Sequence, residues 1–139
     1  MTCVCCGREV PEGRRVCPVC ERGYEVVVKG TPPSNNEVMG NSHNFNLYRR
    51  TKEEWHWKIK AAIKRKPKKP IGKAVVYIKY YFKSAHRRDP DNYSGKMLLD
   101  PLVREGILED DSFDNIVLQL SAGVDKEHPR TEIRVVERR

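Results

Sequence analysis

At 139 residues, with 38% hydrophobic and 33% charged positions, the chain has material for one compact domain and a small appendage, not for several large domains. A formal net charge of +8 at pH 7 points to a polyanionic partner, nucleic acid first and an anionic membrane surface second. No apolar run approaches the ~20 residues that span a bilayer, and no apolar leader opens the sequence, so a cytoplasmic protein with no membrane partner is expected.

Residues 1–22 read as a module of their own. Cys3 and Cys6 enclose two residues, as do Cys17 and Cys20, and ten residues separate the pairs. Turns at each pair let four thiolates converge on a tetrahedral Zn²⁺ at about 2.3 Å. The segment is too small and polar to fold by burial, whereas a structural zinc supplies roughly 10–16 kcal/mol of apparent binding energy. Cys5 is left over, and an odd cysteine count in a cytosolic chain argues for metal rather than disulfides. A set of free thiols is the bland alternative.

Residues 23–139 carry the elements of a mixed α/β (α+β) domain. Tyr24 to Lys29 is a β-branched run that predicts a strand, followed by a breaker cluster from Gly30 to Asn36 and a loop to about Arg50. Thr51 and Glu54 have the spacing of a capping box, so a helix is expected from there until Pro67 stops it, with Trp55, Ile59, Ala62 and Ile63 inward. Lys58, Lys60, Lys64 and Arg65 fall on its wet side. An exposed Trp57 would be able to stack on an unpaired base.

Lys73 to Ser84 is the strongest strand, with Val76, Ile78, Tyr80 and Phe82 on one face. Asn92 to Glu105 has helical periodicity and ends at Gly106, a residue suited to the position after the C-cap. Pro101 either kinks that helix or opens a new turn with Asp100 as its N-cap. Residues 115–120 and 131–136 are two further strands, with a loop over 123–130. The expected product is a mixed sheet of about four strands with two main helices.

Asp89, Asp91, Asp110 and Asp111, with Lys96, lie within 23 residues of this basic chain. Two carboxylates about 4 Å apart repel by roughly 4 kcal/mol at an effective dielectric of about 20, a penalty a divalent cation removes. Pro90 keeps Asp89 out of the helical region, so the Asp89–Asp91 stretch reads as extended, with both side chains aimed the same way. The competing view is that Asp-Pro-Asp-Asn is simply a good turn and cap sequence.

The order of motifs resembles that of RusA-type Holliday junction resolvases over roughly residues 23–137. A first strand leads into Pro32-Pro33-Ser34-Asn35-Asn36. A helix with Lys52 and Trp55 follows, then a long strand ending in Arg87-Arg88-Asp89-Pro90-Asp91-Asn92. Lys96, Asp100, Leu102, Gly106 and Asp110-Asp111-Ser112 come next, and Pro129-Arg130 precedes the last strand. The resemblance implies a Mg²⁺-dependent endonuclease that cuts four-way DNA as a homodimer, in a prokaryotic or phage setting. It implies Asp89, Asp91 and Asp111 as metal ligands, Asp110 as their neighbour and Lys96 as the catalytic lysine. Here three residues, 93–95, separate Asn92 from Lys96 where the family pattern has two. The zinc module is not part of the resemblance.

Phosphate contacts are expected from Arg87 and Arg88 beside the carboxylates, and from the run Lys64, Arg65, Lys66, Lys68 and Lys69. The rival readings are a non-catalytic zinc-containing nucleic-acid-binding protein, with the acidic residues as turns and caps, and an adaptor that binds protein through its zinc module.

Overall fold

A computed structural model describes residues 1–2, 9–14, 23–39 and 45–138. Cys3, Cys5, Cys6, Cys17 and Cys20 lie outside these residues. At the N-terminus, Thr2 bridges Glu9 and the Val10 amide donates to the Met1 carbonyl.

The four strands are β1 (Tyr24–Lys29), β2 (Ala74–Phe82), β3 (Ile116–Val124) and β4 (Arg130–Glu137). They form one mixed sheet in the order β1-β4-β2-β3. β4 runs antiparallel to both β1 and β2, while β3 lies parallel to β2, from Ala74 opposite Ile116 to Phe82 opposite Val124. Among the described residues three α-helices accompany the sheet: α1 (Asn35–Met39), α2 (Phe45–Ala62) and α3 (Lys96–Arg104). None of the described helices is long and apolar enough to cross a membrane.

The period-two pattern of β2 decides which sheet face is covered. Val76, Ile78, Tyr80 and Phe82 are buried, and so are Val26, Val28, Ile133 and Val135 of the neighbouring strands. Trp55 and Ile59 of α2 and Leu98 and Leu102 of α3 close over them in a single core. α3 ends where the glycine predicts. Gly106 takes φ +81, its amide donates to Val103, and the Ile107 amide donates to Leu102, the paired bonds of a Schellman cap. Pro101 sits within this one helix and is buried, so no second helix opens at Asp100.

Two expectations for the stretch before β2 need correction. The helix carrying Trp55 begins at Phe45, which places Thr51 in its interior, buried rather than capping. It ends at Ala62, short of Pro67. The expected loop holds a further helix, α1, and the capping serine is Ser34, whose Oγ accepts from the Glu37 amide at 3.2 Å. β3 also runs on to Val124, so the loop before β4 is shorter than expected.

Candidate functional site

The segment after β2 turns back rather than extending. Asp89 is extended, at φ −105 and ψ 141, as a residue before proline must be. Pro90–Asn92 then form a 3-10 turn, with the Asn92 amide on the Asp89 carbonyl at 3.0 Å and the Tyr93 amide on Pro90 at 3.1 Å. The strand-like alternation expected for Asp89 and Asp91 therefore fails. Pro90, with its φ already fixed, opens the turn instead of prolonging the extended chain.

This turn is pinned from α1, far away in sequence. Asn35 Nδ2 donates to the Asp91 carbonyl at 3.0 Å and to Ser94 Oγ at 3.1 Å. The Asn36 amide donates to Asn92 Oδ1 at 3.2 Å. The sequence places Asn35 and Asn36 in the breaker cluster after β1 and among the residues that carry the family resemblance. In the structure they fasten the Asp91 loop from the side, the Asn35 side-chain amide by reaching two acceptors and the Asn36 backbone amide by reaching one.

Lys96 opens α3 directly after Ser94-Gly95. Gly95 takes φ +80, a conformation that strains any other residue, and a Cβ there would also press on the end of the Ile78 side chain at 2.7 Å. No side chain caps this helix, whose N-terminal end, opened by Lys96, carries the positive end of its dipole. Lys96 is exposed and lies 5.7 Å from the Tyr48 ring centroid of α2. Lys52 stands 3.9 Å from Asp100. An anion approaching this end of α3 meets an ammonium and a helix N-terminus together.

Beneath the turn, the rings of Tyr80, Phe82 and Tyr93 pack together at centroid distances of 4.9 to 5.7 Å. The Tyr80 hydroxyl is buried beside Gly95, and burial holds its pKa well above the ordinary phenol range. It therefore stays protonated. Arg88 lies 4.0 Å over the Phe82 ring and donates to the Ser84 carbonyl at 2.8 Å, so it braces the loop. Arg87 is 90% exposed and reaches Asp89 at 3.4 Å.

Asp110 and Asp111 precede β3. The Asp111 amide donates to Asp110 Oδ1 at 2.8 Å, and Asn115 ties the loop to Gly72 at 2.7 Å. Because β3 is parallel to β2, this loop and the Asp89–Asp91 turn start from opposite ends of the strand pair. Both come back towards β3. Asp89 borders a crevice of about 90 Å³ against Leu120–Ala122, whereas Asp111 borders a depression of about 540 Å³ against Ile116–Leu118. A single chain does not gather Asp89, Asp91 and Asp111. Among the described residues no three of His, Cys, Asp or Glu stand close enough to hold a metal ion. Their donor type suits Mg²⁺, which takes carboxylate oxygens and keeps several waters. All three are exposed, and the carboxylates of Asp91 and Asp111 make no ion pair with described residues.

The basic run divides. Arg65 donates to the Gly23 carbonyl at 2.7 Å and covers the Tyr24 ring, and Lys66 pairs with Glu105 at 3.4 Å. Lys64, Lys68 and Lys69 are exposed and make no ion pair with described residues. No protein-family model matches the sequence, and comparison with curated proteins gave no significant match.

Proposed function

We propose that the chain is a Mg²⁺-dependent endodeoxyribonuclease acting on branched DNA, with four-way junctions as the expected substrate. The observation that carries this reading is the fastening of the Asp89–Ser94 turn by Asn35 and Asn36. A turn that only links a strand to a helix needs no side-chain anchorage from 56 residues away. Here the anchors fix a loop whose Asp91 carboxylate has no cation from the described residues, in a chain of net charge +8.

Asp89 and Asp91, with Asp111, would hold the ion. A bound Mg²⁺ supplies positive charge against the scissile phosphate and lowers the pKa of a water ligand. Lys96 and the uncapped start of α3 stabilise the additional negative charge on the phosphate as water attacks. Arg87 contacts the neighbouring phosphate, and Asn35 keeps the Asp91 backbone in place. Lys64, Lys68 and Lys69 hold the DNA further out by charge alone.

The reading includes a homodimer. Among the described residues β3 is an unpaired sheet edge with no charged residue along its 9 positions, and both acidic groups border it. Antiparallel pairing with a second copy, centred on Gln119, would set residues 116–118 of one chain opposite 120–122 of the other. That would carry Asp111 of each copy towards Asp89 of its partner and cover an edge otherwise prone to nonspecific pairing. The cysteine module adds a structural Zn²⁺ on Cys3, Cys6, Cys17 and Cys20, to be checked as about one zinc per chain by elemental analysis.

The test is incubation with a four-way junction and Mg²⁺. Wild type should cut it, and Asp91→Asn should bind without cutting. Val117→Lys, on the exposed part of β3, should sediment as a monomer and lose cleavage. A non-catalytic DNA-binding protein is the second reading, favoured by the distance of Asp111 from the Asp91 turn within one chain. Unchanged DNA binding with no Mg²⁺-dependent cutting by wild type would establish it.

A further inference from the structure

We infer that Trp57, on the outer face of α2, is a stacking platform for an unpaired nucleobase, forming a single-strand binding site apart from the acidic turn. The inference rests on the proposed reading only in taking the polyanion to be DNA. Trp57 is 56% exposed, the larger part of its surface in water, while its neighbour Trp55 is buried at 2%. An exposed indole left to itself would sample several rotamers. This one is fixed from three sides. Its Nε1–H donates to Glu53 Oε1 at 3.2 Å, the His56 ring meets it edge-on at 5.8 Å, and Lys60 Nζ lies 5.0 Å from its centroid.

A flat apolar surface held rigid in water loses little entropy when a base stacks on it. Charge around the ring selects the partner. Lys60 Nζ lies over one face of the ring, so a base would stack on the opposite face with its phosphate reaching round to the ammonium, and Lys64 follows just past the end of α2. The two acids nearby are engaged, Glu53 with the indole and Glu54 with Lys58 at 3.3 Å. Trp57 comes five residues after Lys52, about 140° around the helix from the side that meets α3. A strand bound there does not compete for Lys96. Bases stack on aromatic rings whatever their identity, so the site takes single-stranded DNA without sequence preference.

The presence of only two tryptophans, one buried, makes the test direct. Asp91→Asn protein, in which cleavage is removed, is titrated with poly(dT) while its fluorescence is followed. Stacking should quench the exposed indole, and Trp57→Ala in the same background should bind poly(dT) about 5- to 150-fold more weakly. Trp57→Phe should recover most of that affinity, and binding to duplex DNA should be unchanged in both variants. Equal quenching by heparin or duplex would reduce the site to a phosphate contact and overturn the inference. So would unchanged poly(dT) affinity in Trp57→Ala, or an indole shielded only by self-association. The cleavage assay is separate: if Asp91→Asn still cuts, the nuclease reading falls while the poly(dT) result stands on its own.

Discussion

Two acidic groups of this chain are treated in opposite ways. At the start of β4, Asp125 and Glu132 each accept from Arg130 at 2.7 Å, and the amides of Glu127 and His128 close on Asp125 as well. Both carboxylates share the Arg130 guanidinium as their counter-charge. In the turn after β2, the anchoring bonds go to the backbone and to Ser94, and the Asp91 carboxylate is left open to solvent. With Lys and Arg outnumbering Asp and Glu 27 to 19, a cation for Asp91 was easy to supply. A carboxylate that serves the fold is paired by the fold, and one fixed in place yet unpaired is left for something the chain does not contain.

The sharpest way to break this contrast is a pair of isosteric changes. Asp91→Asn should lower Mg²⁺-dependent cleavage of a four-way junction by more than about 100-fold while leaving the melting temperature essentially unchanged. Asp125→Asn should do the reverse, sparing cleavage and lowering the melting temperature. If both changes act alike, the two groups do not differ in kind.

Metal addition sharpens it further. Mg²⁺ at 100 times its dissociation constant should stabilise wild type by about 2.7 kcal/mol, measured as a rise in melting temperature. Asp91→Asn should lose that rise, and Asp125→Asn should keep it. Removing the anchor probes the same loop with a smaller effect. Asn35→Ala leaves the Asp91 carbonyl and Ser94 Oγ to water, at a cost of about 1 kcal/mol in stability. Cleavage should fall about 10- to 100-fold, the range seen when a supporting hydrogen bond to a metal ligand is removed. Asn35→Asp, which keeps the shape but loses the donor, should behave like the alanine variant.

Much of the fold was legible because its strands obey simple periodicities. The alternation Val76, Ile78, Tyr80, Phe82 named the buried face of β2, and Gly106 marked the end of α3. The helix starts were not. Ser34 with Glu37 and Thr51 with Glu54 show the same capping pattern, yet only the first is a cap. Ser34 follows two prolines that cannot be helical in that position, whereas Thr51 follows residues a helix accepts and is buried within one. The site was legible as a composition of acids and lysine, not as a geometry. Which residue steadies Asp91 depends on a contact across 56 residues, and no local pattern encodes it. Lys64 and Arg65 look alike in sequence, but only the tertiary position of Gly23 and Tyr24 draws Arg65 into the structure.

The smallest effect expected lies in acid. The His128 amide and the Arg130 guanidinium, with the Glu127 amide, hold the Asp125 carboxyl below its usual pKa range. Glu132 and Asp125 raise that of Arg130, which therefore stays charged throughout. The sign follows from the depressed group. An unfolded chain binds the Asp125 proton more readily than the folded one, so this contribution is complete above the ordinary aspartate pKa of about 3.9 and disappears as pH falls through the lower folded value. Melting temperature recorded against pH should drop along that acid limb in wild type, and the limb should be shallower in Asp125→Asn. A limb equally steep in Asp125→Asn would mean that the Arg130 pair adds nothing to the folded state, and the distinction between a carboxylate kept for the fold and one kept for an ion would lose its first half.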